Sequence, residues 1–429
     1  MKIEKIKLKD IRERYAAVAI TIADQSTVSA MNFITSILIG RFAGVSALGV
    51  YAICFSVLLM VSAASESVII SPYMIRFRQL TANRLSSYSG SIFLHQALIG
   101  VAASVFFVMV FWALSLSGNR GAFINELPIL ALILPTLLSR ELARRYSMAH
   151  LHPSNALLVD ALTAAAQLVI LNLLVLTISL TTTAALLAIG TANLSGLLPW
   201  WFKERPMLRF VAGDVFADMK CNATLGAWNF AALSIFVAQL YIAPWLLALI
   251  ADSSSVGIFA ASNAIVMIAN PLIQGISNHL IPRCAQLWSE VGLSGVKKIV
   301  AQYTLAIAVA VTAIGLPIVT FGGSLLTVFF GNGFSGNASI VSLLAMAMVV
   351  RALAMPTYIG LWSIGRSRTN AAINLFTVIT LVLILIIMFD WIGLVGAAWA
   401  VLLTDTSSAL ARVLLFQLSP PNAKVQSTR

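Results

Sequence analysis

Three arginines lie deep in apolar sequence, Arg140 and Arg144 in one run and Arg351 in another. A guanidinium group stays charged when partly dehydrated and binds oxyanions bidentately, so these residues are candidates for holding an anionic substrate without a metal. A charge at the centre of a bilayer costs about 2.5–3.5 kcal/mol on insertion scales, which calls for a wet cavity or a partner. Arg351 stands about 18 Å from the outer end of its run if that run is helical. For Arg140 and Arg144 the alternative is snorkelling to inner headgroups or pairing with Glu141. Asp24, Glu66 and Asp405 are the carboxylates in or near such runs, with Asp160 close to the inner end of another. In a low-dielectric site they could carry H+ or Na+ and couple transport to an ion gradient; the alternative is a structural ion pair with the arginines.

Two polar stripes accompany these charges. Thr21, Asp24, Gln25, Asn32, Thr35 and Ser36 recur at helical spacing in the first apolar run, and Asn263, Met267, Asn270, Gln274 and Asn278 in the eighth. Gln25, Asn32, Asn263, Asn270 and Gln274 are therefore candidates for a hydrophilic wall that hydrogen-bonds a hydroxyl-rich substrate. The alternative is glue between helices, at about 0.6 kcal/mol per contact.

The elements that must position these residues follow from composition. Of 429 residues, 60 % are apolar and 10 % charged, which describes an all-α polytopic membrane protein. Twelve transmembrane helices are expected, roughly at 16–39, 48–70, 92–114, 127–146, 156–178, 183–202, 223–250, 256–280, 299–321, 338–361, 371–389 and 393–416. The formal charge of +12 is dispersed between apolar runs and forms no basic groove for nucleic acid. An amino terminus on the cytoplasmic side leaves Arg41 and Arg120 as the only Lys or Arg in outer loops. The expected organisation is a basic foot at 1–15, a six-helix lobe at 16–202, an amphipathic inter-lobe linker at 203–222 on the inner surface, a second six-helix lobe at 223–416, and a cytoplasmic tail at 417–429. Pro135, Pro199, Pro244, Pro271, Pro317 and Pro356 interrupt the helices and mark expected bends.

The halves carry a repeat. Ala43–Ala52 aligns without gaps on Ala251–Ala260, at the same outer turn of each half, with Gly49 on Gly257. A weaker match sets Arg140-Glu141-Leu142-Ala143 on Arg351-Ala352-Leu353-Ala354. Two pseudo-symmetric lobes in the same orientation are implied. Cys54, Cys221 and Cys284 are isolated, no His-Glu-x-x-His or Gly-x-x-x-x-Gly-Lys pattern occurs, and no cofactor is expected.

The chain resembles the polysaccharide transporters of the multidrug/oligosaccharidyl-lipid/polysaccharide (MOP) flippase superfamily. The residues that carry the likeness are Asn32-Phe33, Arg41-Phe42-Ala43-Gly44 and Leu48-Gly49-Val50-Tyr51-Ala52 at the first outer turn. Phe329-Phe330-Gly331-Asn332-Gly333-Phe334 follows the ninth helix, Leu361-Trp362-Ser363-Ile364-Gly365-Arg366-Ser367-Arg368 precedes the eleventh, and Ile392-Gly393-Leu394-Val395-Gly396-Ala397-Ala398-Trp399-Ala400 opens the twelfth. The resemblance implies a MATE-like fold and an alternating-access flippase in the bacterial inner membrane. Its implied cargo is an undecaprenyl-diphosphate-linked oligosaccharide, delivered for exopolysaccharide, capsule or O-antigen synthesis, with Arg140, Arg144 and Arg351 meeting the diphosphate. A polysaccharide polymerase and chain-length proteins are the implied partners. Two other readings compete: a multidrug cation antiporter on the same fold, with Asp24 binding the coupling ion, and a glycan polymerase or ligase. The polymerase needs a sizeable outer loop with catalytic Arg or His, which this chain lacks. Two negative charges moving outward gain roughly 4–5 kcal/mol per 100 mV of inside-negative potential, so a flippase need not be ion-coupled.

Overall fold

A computed structural model describes residues 2–118, 121–177, 179–205 and 208–420, without the side chains of 2–18, 228 and 232. Arg120, the side chains of the basic foot and the tail from 421 onward lie outside the described residues. The chain forms long helices: α1 (Lys2–Leu38), α2 (Val45–Gln79), α3 (Ala82–Leu116), α4 (Ala122–Ala149), α5 (Pro153–Thr177) and α6 (Thr182–Glu204), then α7 (Ala212–Ile250), α8 (Ser253–Glu290), α9 (Leu293–Phe330), α10 (Ala338–Ser363), α11 (Ser367–Ile392) and α12 (Leu394–Gln417). Among the described residues, eleven stretches are long and apolar enough to cross a membrane, one in each helix from α2 to α12. Twelve spans were expected and eleven qualify; the first expected span falls in α1, a long helix that is not one of these. Its described stretch carries Asp24, Gln25, Asn32, Thr35 and Ser36 among its apolar residues.

α2 and α8 depart from regular α geometry beside candidate polar residues. α2 passes through a π-helical turn at Glu66–Ile70, which presents Glu66 out of step with the α-helical ladder. α8 tightens into a 3-10 turn at Met267–Ala269 immediately before Pro271, whose ring removes a backbone donor. The change of helix type coincides with the proline at which a bend was expected. Pro135, Pro199, Pro244, Pro317 and Pro356 lie inside continuous helices.

The chain divides into two compact units. The first comprises Met1–Ala43 and Val50–Val237, the second Gly44–Gly49 and Ala238–Arg429. The division falls later than the expected linker at 203–222, and its cause is visible in side chains. α7 already begins at Ala212, and Asp214, Asp218 and Asn222 recur on one face of it. Arg84 of α3 donates to Asp214 at 2.8 Å and to Asp218, Ser87 donates to Asp214 at 2.6 Å, and Tyr88 donates to Asn222 at 2.6 Å. The stretch expected on the membrane surface is thus partly a helix fastened to α3 within the first unit.

The short segment Gly44–Gly49 joins the second unit for a steric reason. A Cβ on Gly49 would lie 1.8 Å from the Ser253 carbonyl oxygen, and one on Gly257 would lie 2.0 Å from the Val45 carbonyl oxygen. The first turns of α2 and α8 therefore touch backbone to backbone, each through the glycine that the repeat aligns with the other. The contact is reciprocal, as a two-fold relation between the turns requires. Each unit has its own apolar core. Tyr73, Tyr88, Tyr146 and Trp200 dominate one cluster in the first, and Leu280, Val296, Leu361 and Phe416 one in the second.

Candidate functional site

In the first unit the polar chemistry gathers on the second half of α4, where Arg140, Glu141, Arg144 and Arg145 follow within two turns. Spacings of three and four place Glu141 beside both Arg144 and Arg145, at 3.2 and 2.9 Å. Arg144 is 9 % exposed and grips two further carboxylates. Its Nη2 donates to Asp24 Oδ2 of α1 at 2.8 Å, and its Nε lies 2.7 Å from Asp160 Oδ2 of α5. Arg140 donates to Asp160 Oδ1 at 3.1 Å, and Arg145 reaches Glu66 at 3.5 Å on the π-helical turn of α2. One network thus joins α1, α2, α4 and α5, running from Asp24 and Asp160, 1 % and 0 % exposed, to the half-open pair Glu66 and Arg145.

Among the described residues the charges of this network do not cancel. Asp24, Glu66, Glu141 and Asp160 make four carboxylates, while Arg140, Arg144 and Arg145 make three guanidinium groups, leaving a formal −1. Asp24 Oδ1 is buried without a hydrogen-bond partner, and Asp160 Oδ2 faces Arg144 Nε as a charge without an aligned N–H. Asp24 and Asp160 also neighbour each other across the arginine. Two buried carboxylates sharing one cation, with an acceptor oxygen left over, form a site that a proton or a small cation would complete.

The second unit has the opposite imbalance. Arg351 of α10 donates through Nε and Nη2 to a single oxygen of Asp405 on α12, at 3.1 and 2.7 Å. Two turns further along α12, Arg412 is 7 % exposed. It donates to Ser408 Oγ at 2.7 Å and to the Asn374 side-chain oxygen, its guanidinium lies 5.7 Å from the Tyr358 ring centre, and its Nε has no hydrogen bond. Among the described residues no carboxylate is within ion-pair distance of it. Two guanidinium groups against one carboxylate leave +1.

Each of the three arginines expected to meet an anion is therefore engaged by a carboxylate: Arg140 and Arg144 with one another's partners, Arg351 with Asp405. Of the expected carboxylates, Asp24 pairs with Arg144 and Asp405 with Arg351, whereas Glu66 reaches Arg145, which is not one of the three. Of the polar stripes, Gln25 donates to Asp24 at 3.4 Å, and Thr35 accepts from Gln167 of α5 at 2.8 Å. Thr35 of the α1 stripe thus links α1 to α5. The side chains of Asn32, Asn263, Asn270 and Gln274 have no hydrogen-bond partner among the described residues, and Asn263 and Gln274 are exposed. Amide groups left unmatched along an apolar helix need water or a ligand to satisfy them.

Sequence reasoning gave Asp160 and Glu141 only supporting parts and did not single out Arg145 or Arg412 as site residues. The two pairs Arg140-Glu141 and Arg144-Arg145, set at four-residue spacing, were the available signal. For Arg412 it was the i, i+7 relation to Asp405, which stacks both on one face of α12. No three metal-ligating side chains converge among the described residues.

No protein-family model matches the chain, and no curated protein is similar enough to match. Solved structures do match over nearly its whole length. An inward-facing multidrug resistance MATE family transporter of the MOP superfamily superposes with a TM-score of 0.76 at 12 % identity, over 90 % of this chain and 93 % of that one. The outward-facing form of such a transporter gives 0.67 at 14 % identity and 94 % of each chain. A MOP superfamily transporter from Pyrococcus furiosus, described as having a binding pocket of reverse polarity that suggests a different function, gives 0.67 at 14 % identity and 94 % of each. The fold is that of these transporters.

Proposed function

We propose that the chain is an alternating-access exporter that exchanges a cation, H+ or Na+, at the Asp24–Asp160 pair against an organic cation moved outward. The observation that carries this reading is the surplus carboxylate of the first-unit network. A buried cluster with one more acid than base is complete only when a cation occupies it, and either the coupling ion or a cationic substrate can supply that charge. Competition for one negative site is the simplest way to make the two flows exclusive, because loading one requires release of the other. The solved transporters that share the fold include multidrug ones, which agrees with this substrate class.

A second reading keeps the lipid-linked oligosaccharide as cargo, moved to the outer leaflet, and one observation favours it. The second unit holds Arg351 and Arg412 against Asp405 alone, and a phosphorylated headgroup would complete that site as a cation completes the first. A relative on the same fold is described with a pocket of reversed polarity. Asn263, Asn270 and Gln274 would then meet the sugar hydroxyls.

Binding to the purified protein separates the two. The antiporter reading expects a fluorescent lipophilic cation to bind, to be displaced by acid or Na+, and to lose affinity in Asp24→Asn. The flippase reading expects a polyprenyl-diphosphate sugar to bind and to be lost in Arg412→Gln with Asp24→Asn unaffected. Failure of H+ and Na+ to displace the organic cation would overturn the first reading.

A further inference from the structure

The outward faces of α5 and α6 enclose a cleft of about 200 Å³ in the first unit, away from the charged network. Its shape follows from one glycine. A Cβ on Gly196 would lie 2.4 Å from the Val159 carbonyl oxygen, so the helices can touch there only because α6 has no side chain at that position. Ser195 Oγ donating to the Leu162 carbonyl at 3.1 Å closes the same end. Beyond that contact the cleft extends to Lys203 and Asn155, over about 10 Å of helix. Leu158, Pro199 and Trp200 line it, and Trp200 is fixed by donating its indole N–H to Ser147 Oγ at 2.9 Å.

The Lys203 end carries a charge that the protein leaves unneutralised. Lys203 is exposed, donates to the neutral Asn155 amide oxygen at 3.0 Å, and has no ion pair among the described residues. Trp201 and the exposed Phe202 flank it, the aromatic-plus-amine pattern of a helix end at the membrane interface. An apolar slot that opens beside a lone ammonium group at headgroup depth matches one kind of molecule. We propose that this cleft holds an anionic phospholipid, with one acyl chain between α5 and α6 and the phosphate on Lys203. Val159, on the cleft wall, immediately precedes Asp160 in α5, so the lipid packs on the helix that carries half of the carboxylate pair.

The test is native mass spectrometry of the full chain released from nanodiscs of phosphatidylcholine with a minor fraction of phosphatidylglycerol. The wild type is expected to retain one phosphatidylglycerol in preference to phosphatidylcholine. Lys203→Ala should lower that preference about fivefold, Lys203→Arg should keep it, and Leu158→Trp, which fills the slot but spares the amine, should lose the lipid. Inorganic phosphate added in excess should not displace it. Equal retention by wild type and Lys203→Ala, an unaffected Leu158→Trp, or displacement by phosphate alone would each overturn the proposal.

Discussion

Arg144 holds Asp24 and Asp160 with one guanidinium group, so the residues of this trio are not interchangeable. Removing the arginine leaves two buried carboxylates facing each other, and Arg144→Ala should cost about 3–5 kcal/mol of stability, read as a fall in the unfolding midpoint in detergent. Arg144→Lys should recover only part of it, because an ammonium group cannot bridge two carboxylates with a planar fork. Asp160→Asn takes the opposite course. It brings the network to three acids against three bases, so the protein should insert and remain folded while losing its response to ions. Asp24, Arg140 and Arg144 were legible in the sequence because charges in apolar runs are conspicuous. Asp160 stands near a helix end, where a charge needs no explanation. Only the packing of α5 against α1 and α4 turns it into a partner. Arg412 was equally conspicuous as a charge in an apolar run, but its neighbours Asn374 and Tyr358 were not, since they come from other helices.

Helix starts and crossings carry predictions of their own. The glycine pair Gly49 and Gly257 was readable as a repeat, but the repeat could not say that its two copies touch. Because backbone atoms occupy the place of either Cβ, Gly257→Val should abolish recovery of monodisperse protein, and Gly49→Val should do the same; a well-behaved Gly257→Val protein would refute the crossing. The aligned position one residue after the repeat's first alanine is solved differently in each copy. Gly44 takes φ +93°, whereas Asp252 caps α8 by accepting from the Ser255 N–H at 2.7 Å. That hydrogen bond holds the Asp252 carboxyl below its ordinary value. A lowered folded value stabilises above the unfolded pKa of about 3.9 and is lost as pH falls through the folded one. Asp252→Ala should therefore cost about 1 kcal/mol at neutral pH, and the gap between variant and wild type should close in strong acid. Thermal melts at two pH values check both parts. The helices themselves were legible from apolar runs; the early start of α7 was not, because its first turns are held by Arg84 rather than by apolar periodicity.

For the molecule as a whole, the net charge of +12 misleads about the membrane interior. Most basic residues lie in the connections and ends, while among the described residues the charged clusters sum to −1 in the first unit and +1 in the second. In the proposed antiporter, coupling depends on the first of these. Its most direct test uses proteoliposomes loaded with a fluorescent organic cation and given an acid or Na+ pulse outside. The wild type should speed efflux by about fivefold or more, and Asp160→Asn, inserted to the same level, should show no change with either pulse. An Asp160→Asn protein that answers the gradient as the wild type does would contradict the claim that the surplus carboxylate couples transport.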